Sequence, residues 1–405
     1  MNRTNGSQRA AYWRAMLLVA AMTLLTAASI QVRADTGSCG GASTTLPFTD
    51  VAAANVFFCS IAEAYFSGLT NGTAPGVYSP ADNVTREQMA AFVTRTMDQS
   101  LKRGSNRAAL DQYWTIQGAN NLASTTVGNE PHLIKSDGTD LWVANFMSNT
   151  VSQVRASDGK LVDTWTGATS AYGVLCAMGK VFVTGSTNPG KLYQIDPTQA
   201  AGSVTTVTSS LGALPRGIAY DGQRIWTANS STVSIITLNP VAVTTAGAGL
   251  LDAYGIIYDG TNIWVTDRDF TSAVDHLRKL DSNGAILLTV DVGDNAEFPA
   301  FDGTNIWVPN ETSNTVSVVR ATGALAGTVL ATLSGNGLDA PISAAFDGER
   351  ILVTNGNNGI SLWKASDFTP IGTFSTVPLI FPFGACSDGL NFWFTLANTG
   401  KVARL

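Results

Sequence analysis

Histidine is nearly missing from this 405-residue chain, with His132 and His276 as the whole supply. Two imidazoles leave little room for multi-histidine metal centres or for nucleophiles activated by a nearby base. Cysteine is scarce too. Cys39, Cys59, Cys176 and Cys386 form no C-x-x-C pair and no Cys/His spacing of the kind that holds zinc. No metal site, no catalytic set and no cofactor motif is expected. Charged residues make up only 13% of the chain, and nowhere do Lys and Arg cluster. Residues 1–34 hold Arg3, Arg9, Arg14 and Arg33 with no acid, so the net charge of −6 becomes −10 without them. An acidic chain lacking a basic stripe has little to hold nucleic acid or anionic lipid, and both partners are disfavoured. Sparse charge with 39 glycines also argues against a disordered chain or a coiled coil.

Long apolar runs are confined to the start. Arg3, Arg9 and Arg14 precede Met16 to Ile30, and Val32-Arg33-Ala34 offers compact residues at a cleavage site. That is the pattern of a secretory signal peptide over residues 1–34. At 15 residues the run falls short of the ~20 that cross a bilayer. No membrane span is expected after cleavage, and the mature chain is expected to be secreted, at the cell surface or on the cell wall. Export makes disulfides permissible. Cys39 and Cys59, close together near the start of the mature chain, are the candidate pair.

Residues 45–98 read as a helical module. Phe57, Ile61 and Tyr65 recur every four residues within Val56–Gly68 and define one apolar face. Thr85 and Gln88 then fit a capping box opening a second helix, with Met89, Phe92, Val93 and Met97 on its apolar side. Phe48-x-Asp50-Val51, Gly68-Leu69-Thr70-Asn71-Gly72, Tyr78-Ser79-Pro80 and Val84-Thr85-Arg86-Glu87-Gln88 together resemble the surface-layer homology (SLH) motif. The resemblance implies attachment of an exported bacterial protein to cell-wall polysaccharide. In the family's T-R-A-E motif, Thr85 and Arg86 match, Glu87 replaces Ala and Gln88 replaces Glu. Thr85 and Arg86 are therefore the candidate glycan contacts. Arg86 would offer a planar donor fork to an acidic glycan, or else stand solvated at a helix start. Such families usually carry three copies, and one is found here. That leaves trimerisation, weak binding or a packing role open. Residues 99–112 are polar and read as a linker.

From residue 113 to 405 the sequence repeats. Asp137-Gly138, Asp221-Gly222, Asp259-Gly260, Asp302-Gly303, Asp347-Gly348 and Asp388-Gly389 each separate two apolar runs, and Ala177-Met178 aligns as a seventh. A period of about 42 residues points to propeller blades. Each Asp-Gly reads as a tight hairpin turn in which both residues tolerate positive φ. Four residues after each Gly stands a large apolar side chain: Trp142, Phe182, Trp226, Trp264, Trp307, Leu352 and Trp393. These are read as inter-blade packing. The last repeat stops after its third strand, and Tyr113–Gln117 is expected to supply the missing fourth. The fold class is mainly β, a seven-bladed propeller of four-stranded antiparallel blades behind the small helical module. Leu141-Trp142-Val143-Ala144-Asn145 with Ser148–Ser152, and Ile306-Trp307-Val308-Pro309-Asn310 with Ser313–Ser317, resemble the YVTN/YncE-like propeller repeat.

Five residues before each turn Asp stand His132, Tyr172, Arg216, Tyr254, Glu297, Ile342 and Phe383. Repeat symmetry puts them at one mouth of the central channel. Unlike the tryptophans they differ in kind, as a recognition site must, so all but Ile342 are candidate ligand contacts. Cys176 and Cys386 fall in innermost strands of blades that are not neighbours and are expected to be buried free thiols. The favoured function is a cell-surface protein with a non-catalytic propeller that binds an unidentified protein or glycan. The alternative is a secreted propeller enzyme, a lyase or hydrolase similar to streptogramin lyases, acting on a small molecule. His132 is the one histidine on the rim, and Glu297 is its one acid.

Overall fold

The computed structural model describes residues 36–39, 42–66, 70–85, 89, 93, 123–357, 359–376 and 381–405. The expected signal peptide, Arg86 to Gln88, the linker at 99–112 and the segment 113–117 lie outside the described residues. Two compact units divide between Arg103 and Gly104.

Among its described residues the first unit buries a small apolar core. A hairpin of β1 (Thr36–Cys39) and β2 (Ala42–Thr45) packs on helix α1 (Phe58–Phe66). Leu46, Phe48, Val51, Phe58, Ile61 and Ala62 form the buried core. A core that small needs a staple. The disulfide between Cys39 and Cys59, with Cα atoms 5.5 Å apart, supplies one from hairpin to helix. Closing a loop of 20 residues lowers the entropy of the unfolded chain by the equivalent of about 3 kcal/mol. The register of α1 differs from expectation, because Phe57 is exposed and Phe58 is buried. Asn55 causes this. Its side-chain oxygen accepts the Phe57 amide at 2.8 Å and its carbonyl accepts the Phe58 amide at 2.9 Å, so the helix starts at Phe58, two residues after Val56. The buried face then runs Phe58, Ile61, Ala62 and Tyr65, spaced by threes and fours.

The second unit is a seven-bladed β-propeller. Each of its seven sheets has four antiparallel strands. The innermost strands are Pro131–Ser136, Ala171–Ala177, Pro215–Tyr220, Ala253–Tyr258, Ala300–Phe301, Pro341–Phe346 and Pro382–Ser387, in blades 1 to 7. All the expected inter-blade side chains, from Trp142 to Trp393, are at most 1% exposed. The ring is closed by a different strand from the one expected. Ala123–Thr126, not Tyr113–Gln117, pairs with Lys401–Arg404 as the fourth strand of blade 7. Loop length explains the choice. Four residues link Thr126 to the next innermost strand at Pro131, as four link Thr166 to Ala171 in the following blade. A strand ending at Gln117 would need a far longer connection.

The turn aspartates do more than turn. Asp137, Asp221, Asp259, Asp302, Asp347 and Asp388 each accept the amides two and three residues on. Only the following Gly takes positive φ, between 88° and 103°, so the Asp is chosen for its carboxylate and not for left-handed backbone. The second carboxylate oxygen accepts the indole N–H of Trp142, Trp226, Trp264, Trp307 and Trp393 at 2.7–2.8 Å. Where Leu352 replaces Trp, Asp347 bonds Arg350 instead, at 2.8 Å. The blade without a turn Asp is the one with Phe182, which has no N–H to offer.

Neighbouring blades are stitched by second-strand threonines. Thr184, Thr266, Thr354 and Thr395 each accept an amide from their own innermost strand. Each donates its hydroxyl to the next blade, at the carbonyls of Arg216, Glu297, Phe383 and His132. Every one of those acceptors is a rim position.

Candidate functional site

The rim residues converge. His132, Tyr172, Tyr254, Glu297, Ile342 and Phe383 are all buried, and Arg216 is half-buried. The approach is set by the residue that follows each rim position. A Cβ on Gly173 would lie 2.1 Å from the Arg216 carbonyl oxygen, and one on Gly384 would lie 2.5 Å from that of His132. Cβ atoms on Gly217 and Gly255 would likewise meet the next blade, 2.8 and 2.6 Å from the Tyr254 and Glu297 carbonyl oxygens. Glycine lets the innermost strands crowd together at this end, so the channel mouth is closed by side chains.

One half of the closure is aromatic. The His132 ring stacks between Phe383 and Phe146, with centroids 4.7 and 4.9 Å away, and meets Tyr172 edge-on at 4.3 Å. Its Nε2 lies 3.2 Å from the Glu130 carboxylate, and Nδ1 has no partner. Burial disfavours the imidazolium and brings His132 down to about 4. Tyr172 and Tyr254 share a hydroxyl hydrogen bond of 2.9 Å. Burial pushes Tyr254 up to about 12 and raises Tyr172 well above the ordinary phenol value.

The other half is ionic. Arg268 donates twice to Asp252 at 2.9 and 2.7 Å, and once to Glu297 at 3.0 Å. Its guanidinium lies 3.5 Å from the Tyr254 ring centre, and Arg216 faces the same ring at 4.5 Å. Arg216 also reaches Asp252 at 3.3 Å. Two cations thus meet two acids, Asp252 and Glu297, with a third acid, Glu311, held by the Asn295 side-chain amide that also accepts from Arg268. Burial raises Glu297 to about 8 against the pull of Arg268, with Glu311 adding repulsion. Its Oε2 has no hydrogen-bond partner. His132 and Glu297 share the closure without touching in any hydrogen bond, since one binds Glu130 and the other Arg268. Among the described residues no group of three or more His, Cys, Asp or Glu is placed to hold a metal.

Sequence reasoning missed Phe146, Arg268 and Glu311. Each directly follows the end of a second strand, and each donates its backbone amide to the carbonyl two residues before a rim position, at Glu130, Asp252 and Asn295. The signal was present, because these positions also vary in kind from repeat to repeat. Behind the closure the channel holds a cavity of about 380 Å³, lined by Leu133, Lys135, Cys176, Tyr220, Tyr258 and Phe298 among others. Cys176 and Cys386 are both free. Cys386 is buried, whereas Cys176 is only half-buried because it borders this cavity. His276 lies on the third strand of blade 4, 3.1 Å from Asp291.

In the first unit, Asp50 accepts the Tyr78 and Ser79 amides at 2.9 and 2.7 Å. Slight burial opposes the charge, but these amides outweigh it and hold the carboxyl below its ordinary value. Phe48 meets Tyr65 and Tyr78 at 5.3 and 5.2 Å. The Phe-x-Asp-Val and Tyr-Ser-Pro segments are therefore one structural clasp. Thr85 is exposed, and its carbonyl accepts the Met89 amide at 2.9 Å, while Arg86 lies outside the described residues. Residues 47–90 match the S-layer homology domain family.

Beyond the SLH domain, likeness is to architecture. A solved chain of Kuenenia stuttgartiensis hydrazine synthase superposes with a TM-score of 0.58 at 14% identity, covering 69% of this chain and 97% of that one. Streptogramin B lyase does so at 0.56 and 15%, covering 70% and 96%. Identities this low show the fold alone. No curated protein matches the chain. Among the described residues no helix is long and apolar enough to cross a membrane.

Proposed function

We propose that this is an exported bacterial cell-surface protein whose SLH domain attaches to cell-wall polysaccharide and whose propeller is a non-catalytic platform for a protein or glycan ligand. The SLH match at residues 47–90 carries the reading. The clasp between Asp50 and the Tyr78-Ser79 amides supports it, because it holds the segment leading to Thr85 and Arg86 against the core. Thr85 and Arg86 make the glycan contact in this reading. On the propeller, the ligand docks against the closed end of the axis. Arg216, the half-buried rim member, meets it first, and His132, Tyr172, Tyr254, Glu297 and Phe383 hold that surface rigid from beneath. A neutral His132 wedged between two phenylalanine rings supports positioning over proton transfer.

Co-sedimentation of the full chain with purified cell-wall sacculi tests the attachment. Wild type is expected in the pellet and Arg86→Ala in the supernatant. Wild type left in the supernatant would sink the reading.

A further inference from the structure

Between blades 5 and 6, on the side of the Asp–Gly turns, lies a cavity of about 420 Å³ lined by Asn305, Arg320, Leu330, Phe346, Glu349 and Phe368 among others. The repeat itself shows what is unusual there. Four blades end their third strand in a cation, and in three of them, at Arg155, Arg320 and Lys364, a short turn to a fourth strand of the same repeat follows. Arg155 is followed by Ala-Ser-Asp158 and bonds that Asp at 3.1 Å, and Lys364 is followed by Ala-Ser-Asp367 and bonds it at 3.3 Å. After Arg320 the sequence reads Ala-Thr-Gly323, so the acid is gone. No ion pair replaces it among the described residues, and the half-buried Arg320 keeps a buried Nε with no partner.

A second unpartnered group borders the same space. Asn305 is 7% exposed, and its Nδ2 donates to Asp302 at 3.1 Å, which fixes the other end of the amide as oxygen. That Oδ1 is buried and accepts nothing. A buried acceptor without a donor is costly until a ligand supplies one. Glu349, exposed at the rim, also has a side chain in no ion pair among the described residues. Leu330, Phe346 and Phe368 form the apolar side.

We propose that this cavity binds an α-amino acid with an apolar side chain. Arg320 takes the carboxylate through its planar donor fork. Asn305 Oδ1 and Glu349 take the ammonium group, and the apolar side chain lies against Leu330, Phe346 and Phe368. Charge selects the zwitterion. Asp302 and Glu349 would repel a simple anion, and Arg320 would repel a simple cation, whereas a ligand carrying both charges meets an opposite partner for each. The cavity is also well above the size of one amino acid, leaving the α-groups reachable from solvent.

Isothermal titration calorimetry on the full chain tests this with L-phenylalanine, L-phenylalaninamide and N-acetyl-L-phenylalanine. The parent amino acid is expected to bind once per chain. Each derivative, lacking one of the two charges, is expected to bind at least about tenfold more weakly. Arg320→Gln and Glu349→Gln should each weaken L-phenylalanine by a similar factor with an unchanged thermal midpoint. No heat from L-phenylalanine at millimolar concentration, equal binding of all three compounds, or wild-type affinity in Arg320→Gln would each overturn the proposal.

Discussion

The closed end of the propeller makes a quantitative demand on stability against pH. Glu297 is at about 8 in the fold against an ordinary 4.5, so the fold holds a proton that the unfolded chain has lost. Its contribution is complete below pH 4.5 and disappears as pH rises through 8. At about 1.4 kcal/mol per pH unit, the loss is on the order of 5 kcal/mol. His132 runs the other way. With a folded value of about 4 against 6.5, its contribution is complete above pH 6.5 and is lost as pH falls through 4, an effect on the order of 3 kcal/mol. Between pH 4.5 and 6.5 the two slopes cancel. Above 6.5 the His132 slope is spent, and Glu297 lowers stability by about 2 kcal/mol on reaching pH 8, or about 3 °C in melting temperature for a unit of this size.

Differential scanning calorimetry of the full chain from pH 4.5 to 8 reads this directly. Wild type should be level to pH 6.5 and then decline. Glu297→Gln keeps a neutral hydrogen-bonding group beside Arg268 and should abolish the decline, leaving a rise of about 3 kcal/mol between pH 4.5 and 6.5 from His132 alone. His132→Phe keeps a flat ring between Phe146 and Phe383 and should give a steady fall across the whole range. A wild-type midpoint that rises from pH 6.5 to 8, or a Glu297→Gln variant that still declines there, would refute the assignment of a neutral Glu297.

Other consequences are simpler. In a double-mutant cycle of Asp259→Ala with Trp264→Phe, urea unfolding should give a coupling of about 1.5–3 kcal/mol, the worth of a hydrogen bond to a charged acceptor; additivity would deny the bond. Deleting residues 123–126 should open blade 7, lower the melting temperature and promote aggregation through the bare Lys401–Arg404 edge, while deleting residues 113–117 should leave the midpoint unchanged. Cys39→Ser with Cys59→Ser should cost the first unit about 3 kcal/mol, seen as early proteolysis of residues 36–85. Burial raises Cys176 to about 12 and Cys386 further, so neither should react with a disulfide reagent at pH 8 until urea unfolds the chain, when both should react together.

Blade number and order were legible because most blades repeat the same contacts. The Trp-to-Asp bond, the glycine after the turn Asp and the second-strand Asn all recur. Asn145 and Asn310 each bond a Thr and a Ser of the third strand at 2.9–3.0 Å, which is why the strand ending in Asn is followed by Ser-Asn-Thr-Val-Ser. Two things were not legible. The closing strand Ala123–Thr126 has small polar side chains and no amphipathic signal, since its place at a sheet edge is set by backbone pairing and loop length. The register of α1 turned on one side chain, that of Asn55, which no apolar periodicity reports.

The candidate site was half legible for a related reason. Variation among the rim positions marked out His132, Tyr172, Arg216, Tyr254, Glu297 and Phe383, and the structure brings them together with Ile342. What variation could not say is whether those side chains face a ligand or each other. That depends on the spacing of the innermost strands, and four glycines set it, at 173, 217, 255 and 384. Had those positions carried side chains, the strands would stand apart and the rim would line an open mouth. With glycine there, the varied residues fill the axis, and their differences become complementarity within one closed cluster: a cation over a phenol ring, a neutral imidazole between two phenyl rings, a protonated acid beside an arginine already paired. By the same logic, a second binding surface in such a ring is sought where a repeat has lost the partner its sister blades keep. Arg320, with Gly323 in place of an Asp, is such a place.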